Sequence, residues 1–119
     1  MSHEKSLPGK ELAQRIMGVV SYKDRLPAGR LRPPVGMLQG DVRSLKEVYL
    51  LLTPDEQSLP GISLTALADW TERTIGDTKL ACDIREAVQN AGSYVESCMK
   101  IYTLVEQRLE QAQKMLKSN

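Results

Sequence analysis

Apolar residues recur at helical spacing along most of this chain, with one long interruption. After Pro8-Gly9, Leu12, Ile16 and Val19 or Val20 predict an amphipathic helix. Pro27 and Gly29 stop it, because a proline disfavours helical geometry in the residue before it. Residues 26–40 hold three prolines and three glycines, which predicts a long crossover loop. Prolines cannot donate to a ladder, so this stretch allows at most a short edge strand near Val35–Leu38. Asp41 is the expected cap of a second helix carrying Val42, Leu45, Val48 or Tyr49, and Leu52. Thr53-Pro54 opens a turn that Pro60-Gly61 closes. Ser63 caps a helix with Leu64, Leu67, Ala68, Thr71 and Ile75 on one face; Gly76 ends it and Asp77 caps the next.

From Ala81 the apolar spacing alternates steps of three and four for five heptads, the pattern of a coiled-coil seam. Asn90-Ala-Gly-Ser93 interrupts it with a helix-stopping glycine and a fresh capping box, Ser93 to Glu96. The heptad phase survives the interruption, so residues 78–117 read as one long helix or as a pair broken near Gly92. The preceding helices are short, which predicts that the far part of the stripe stays uncovered in a single copy. Val95, Cys98, Tyr102, Val105, Leu109, Ala112 and Leu116 are therefore the expected interface. The expected partner is a second copy, as a homodimer, or a helical protein. The resulting expectation is one all-α domain over residues 1–119, a bundle of four to five helices with a Pro/Gly-rich crossover. Residues 1–8 are expected to be a flexible N-terminus.

Composition narrows the chemistry. The chain has 119 residues, with one His, two Cys, one Trp and no Phe. His3 lies beside the initiator Met, so a buried histidine base is not expected, and a cysteine nucleophile lacks a partner base. Cys82 and Cys98 have neither zinc-site nor redox-pair spacing. No cofactor or metal is implied, and catalysis is not favoured. No apolar run approaches the ~20 residues of a membrane span, and no signal-like segment opens the chain. A cytoplasmic protein is expected.

Charge is uneven. Residues 1–40 carry seven basic and three acidic side chains, while residues 41–119 carry nine basic and twelve acidic ones. Lys23, Arg25, Arg30 and Arg32 cluster with a single acid, Asp24. Arginines on a proline-restricted backbone lose little entropy on docking, so the Lys23–Arg32 loop is the candidate site for a phosphate or nucleic acid. The competing expectation is that these arginines pair with the acidic remainder of their own chain.

Ser44-Leu45, Ala68-Asp69-Trp70, Ile75-Gly76-Asp77, Leu80-Ala81 and Ile84 together resemble an uncharacterised domain family of archaea and bacteria. The resemblance spans roughly residues 42–90. It departs from the family pattern in lacking a histidine in the Gln57–Leu59 region, and Trp70 stands at a shifted spacing. It implies a helical domain and no chemistry. Trp70 itself calls for packing with a hydrogen-bond partner for its indole N–H.

Overall fold

A computed structural model describes residues 7–117. The expected flexible N-terminus thus falls largely outside the described residues, as does His3. Among the described residues five α-helices are present: α1 (Lys10–Met17), α2 (Leu45–Leu52), α3 (Leu64–Trp70), α4 (Thr78–Gln89) and α5 (Tyr94–Lys117). The fold is nevertheless not an all-α bundle. Five short strands, β1 (Leu26–Pro27), β2 (Gly29–Arg32), β3 (Gly36–Leu38), β4 (Asp41–Val42) and β5 (Leu59–Gly61), make it an α+β mixture.

The supposed crossover loop is a β-hairpin. Leu26 pairs with Val42 and Pro27 with Asp41, while further out Arg30 pairs with Leu38, Leu31 with Met37 and Arg32 with Gly36. Between the two ladders the Ala28 N–H donates to the Gly40 carbonyl at 3.0 Å in the same register. The chain from Leu26 to Val42 is therefore one antiparallel hairpin, turning at Pro33-Pro34, whose peptide bond is cis. β5 adds to the other side of β2, giving the order β3-β2-β5.

The prolines do not prevent this, for a geometric reason. In an antiparallel ladder, hydrogen-bonded and non-hydrogen-bonded pairs alternate. With Ala28 bonded to Gly40, Pro27 falls at a non-bonded position and no ladder donor is lost. Pro60 opposes Arg30, whose N–H points to β3, so its missing donor costs nothing on that side either. Gly29 is required by close approach, since a Cβ there would lie 2.3 Å from the Leu38 carbonyl oxygen.

The seam does break near Gly92. α4 ends at Gln89 and α5 begins at Tyr94. The Ser93 Oγ accepts from the Glu96 N–H at 3.1 Å, and the Glu96 carboxylate accepts from the Gly92 N–H at 3.1 Å. Folding back shortens the final helix to 24 residues, about 36 Å, within the molecule's 48 Å long axis. α4 then packs along α5, with α2 and especially α1 against it as well. Ile16, Val48, Ile84, Ile101 and Val105 are fully buried at the centre.

Other boundaries shift for local reasons. α1 stops at Met17, just ahead of Gly18, rather than running on to the expected stop at Pro27. The cap of α2 is Ser44, whose Oγ accepts from the Glu47 N–H at 3.1 Å, while Asp41 lies in β4. Ser63 and Asp77 cap α3 and α4 as expected, each accepting an amide three residues on. A π-helical turn at Thr71–Ile75 joins them and ends at Gly76, whose φ of 88° is left-handed. The Trp70 indole N–H donates to the Asp24 carbonyl at 2.7 Å.

Candidate functional site

The expected interface residues on α5 divide by burial. Cys98, Val105 and Ala112 are buried within the chain's own core, Tyr102, Leu109 and Leu116 are half-buried, and Val95 is exposed. The stripe thus has most of its cover inside the chain, chiefly from α1, although the preceding helices are as short as expected. Tyr102 stacks on Tyr49 of α2, with ring centroids 5.0 Å apart and planes 12° from parallel. Their hydroxyls lie 3.3 Å apart, and the Tyr49 hydroxyl donates to Glu106 at 3.3 Å. The bond to Tyr102, then burial, then the charges of Tyr102 and Glu106 push the Tyr49 phenol up to about 12.

The four basic residues are not one site. Arg25 forms an ion pair with Asp41 at 2.8 Å and lies 3.6 Å above the Tyr22 ring. Its Nε also donates to the Tyr22 carbonyl. Arg30 reaches inward: Nε donates to Ser58 Oγ at 2.8 Å, Nη1 donates to the Leu51 carbonyl, and Nη2 stands 3.9 Å from Asp55. It ties the hairpin to the C-terminal turn of α2 and to the 55–58 turn. Bonds from the Gln57 N–H and then the Ser58 hydroxyl, aided by Arg30 and Arg32, hold the Asp55 carboxyl below its ordinary range. Arg32 is exposed and donates one hydrogen bond, to Gln57 Oε1 at 3.3 Å. Lys23 is exposed on the turn before β1. Arg25 and Arg30 are thus held by ion pairs within their own chain and line one cleft with Asp41 and Glu47, while Arg32 and Lys23 stand apart from it.

A feature the sequence reading missed stands out on the sheet. Strand residues alternate faces, and a sheet with one face on a core ordinarily presents polar side chains outward. At the hairpin base the inward set is Leu26, Ala28 and Val42, all buried. The outward set further along is Leu59, Leu31 and Met37, directly opposed across three strands. They are 42%, 39% and 45% exposed, and Val35 beside the turn is 71% exposed. The face that belongs to water is apolar.

The two edges of this sheet differ. On the β5 side, the Tyr94 hydroxyl donates towards the Pro60 carbonyl at 2.8 Å and accepts from the Ile62 N–H at 3.0 Å. Pro60 offers no donor there, so that edge is closed. Burial is the main cause that raises the Tyr94 phenol, with the Ile62 amide opposing it. On the other side, β3 pairs with β2 alone among the described residues. Leu31–Met37 is a non-hydrogen-bonded pair by the alternation already fixed at Ala28, so the Met37 N–H and C=O point outward. This edge is open, and its neighbours from Leu31 to Val35 and from Met37 to Asp41 are exposed.

Grooves elsewhere are less distinctive. The cleft between α4 and α5, about 640 Å³, is rimmed by Lys79, Asp83, Glu86 and Lys100 over a floor of Leu80 and Leu104. Its rim charges include internal pairs, Lys79 with Asp83 and Lys100 with Glu96. Among the described residues no group of three or more His, Cys, Asp or Glu could hold a metal, and no helix is long and apolar enough to cross a membrane. Comparison of the chain with protein families, curated proteins and solved structures finds no match.

Proposed function

We propose that this protein is a non-catalytic interaction module that binds a partner by adding a strand to the open edge of β3. The observation that carries this reading is the pairing of an open edge with an outward apolar row, Leu59–Leu31–Met37, where a solvated sheet calls for polar residues. Natural proteins usually blunt an edge strand with charge, proline or a covering element. Here the β5 edge is blunted by Pro60 and Tyr94, whereas β3 consists of Gly36, Met37 and Leu38. Strand addition draws affinity from main-chain hydrogen bonds and specificity from alternate side chains. The α5 stripe, largely occupied within the chain, supports a partner less well.

Amide hydrogen exchange with a neutral peptide of alternating Val and Thr tests the reading. The Met37 amide is expected to exchange rapidly in the free protein and to gain protection when the peptide is added at millimolar concentration. A Met37 amide as protected in the free protein as that of Leu38, or one indifferent to the peptide, overturns it.

A further inference from the structure

We infer that the strand added at the β3 edge is β3 of a second copy, paired antiparallel across a twofold axis at Met37. This rests on the strand-addition reading and names the strand that is added.

The backbone permits it. Arg30–Leu38 and Arg32–Gly36 are bonded pairs of the hairpin, so Met37, and Gln39 two residues on, turn their N–H and C=O groups away from β2. Those groups have no partner among the described residues. Residues 31–35 and 37–41 are exposed, so nothing in one copy stands between this edge and another. Two Met37 residues facing each other across the axis exchange a pair of N–H···O bonds and join the sheets into one, in the order β5-β2-β3-β3-β2-β5.

Side chains choose the register. With Met37 opposite Met37, the outward row runs unbroken through both copies, from Leu59 and Leu31 of one to those of the other. On the opposite face Leu38, 45% exposed, comes to lie beside Gly36 of the second copy, where nothing lies within 4 Å of the position a Cβ would take. The missing side chain leaves a space that leucine fills, once on each side of the axis. An axis at Leu38 also satisfies the backbone. It sets Met37 beside the Gln39 amide and Gly36 beside Gly40, however, so the row is broken and the glycines stay bare.

Charge does not oppose the pairing. Residues 33–40 carry no charged side chain, so two copies meet without like charges facing each other. The cations of the sheet, Arg30 and Arg32, sit on β2 and turn towards Ser58 and Gln57. Area sets the strength. Val35, Met37 and Leu38 expose on the order of 300 Å² in each copy, against about 800 Å² per partner in a stable complex, so the pair belongs to the weak, transient class. Half-association at about 100 µM is expected, and at low micromolar concentration the Met37 edge is free to take the peptide used above.

Sedimentation equilibrium of the full chain from about 5 to about 500 µM tests this. The mass is expected to rise from monomer towards dimer, alike in low and high salt because no charge lies at the seam. Met37→Lys brings two ammonium groups together at the axis and is expected to weaken association about tenfold. In a Cys82→Ser background, mild oxidation at the highest concentration is expected to link Met37→Cys through a disulfide and to leave Leu38→Cys unlinked, since only position 37 meets itself. Linking at 38 and not at 37 overturns the axis at Met37. A monomer at every concentration, or a dimer that Met37→Lys leaves intact, overturns self-pairing altogether. Strand addition is then judged separately, by the exchange of the Met37 amide with and without peptide at the lowest concentration.

Discussion

The start of α4 and the outer face of the small sheet depart from the usual inside–outside rule in opposite senses. At the first, a charged pair is buried: Arg108 is 6% exposed and Asp77 not at all. At the second, Leu31, Met37 and Leu59 face water. The buried pair is satisfied within the chain. Arg108 Nε and Nη2 donate to the two Asp77 carboxylate oxygens at 2.7 and 3.0 Å, Nη1 donates to Gln111 at 2.9 Å, and the Leu80 N–H caps Asp77 at 3.0 Å. The bidentate geometry fixes the start of α4 against the later half of α5. The outward leucines and methionine have no such accounting inside the chain. A departure that the fold satisfies is structural, and one that it leaves open points to a partner.

The sharpest way to break this comparison is at the buried pair. Asp77→Ala removes the α4 cap and leaves the Arg108 charge without its carboxylate. Losing one member of a buried pair costs about 3–5 kcal/mol. Urea unfolding is the measurement, and the buried thiol of Cys98, whose ionisation burial disfavours, gives a second readout. Exposed Cys82 is expected to react with a thiol reagent at once in either protein, and Cys98 much faster in the variant. A loss below about 1 kcal/mol would make the pair incidental.

The opposite result is expected on the sheet. Leu31→Thr and Met37→Thr keep a strand-compatible side chain while making the outward row polar. Each should alter the unfolding free energy by no more than about 0.5 kcal/mol, the scale of ordinary surface substitutions. A combined loss above about 2 kcal/mol would mean that the row holds the sheet together, which would assign it to the fold rather than to binding.

The two regions also differ in how far the sequence revealed them. Helix caps at Ser63 and Asp77, the end at Gly76 and the capping box at Ser93 were legible, because each is a local arrangement within four residues. Of the hairpin only the short edge strand near Val35–Leu38 was legible, as β3, since prolines argue against strands unless the pairing partner is known; only the register shows that Pro27 and Pro60 sit where no donor is needed. Burial of the α5 stripe was hidden for a similar reason: its cover comes from α1, nearly a hundred residues earlier in the chain. Arg108 carried no signal in sequence either, being one polar residue amid a heptad pattern. The outward row had a faint one. Leu31 and Leu59 are apolar residues in stretches read as loop and turn, Met37 lies in the short edge strand allowed between them, and apolar residues there with no helical period are candidates for an exposed patch.

Tyr49 and Tyr102 lie between these extremes, half in water and half against the core, and give the smallest effect. The Tyr49 phenol sits at about 12 against an ordinary 10.0, and its bond to Tyr102 is the leading cause. Spectrophotometric titration should therefore show Tyr49 ionising late alongside the raised Tyr94, and Tyr102→Phe should bring the Tyr49 transition back towards 10 while leaving that of Tyr94 in place. The consequence for stability has a definite sign. A phenol whose folded value is raised holds its proton longer in the folded state, so stability is unaffected at neutral pH. It begins to fall as the unfolded chain ionises near 10, and it continues to fall until the folded value of about 12 is passed. Tyr102→Phe should flatten that alkaline decline. If the late Tyr49 transition persists in the variant, burial and Glu106 hold the proton instead, and the stacked pair is a packing contact rather than a hydrogen-bonded one.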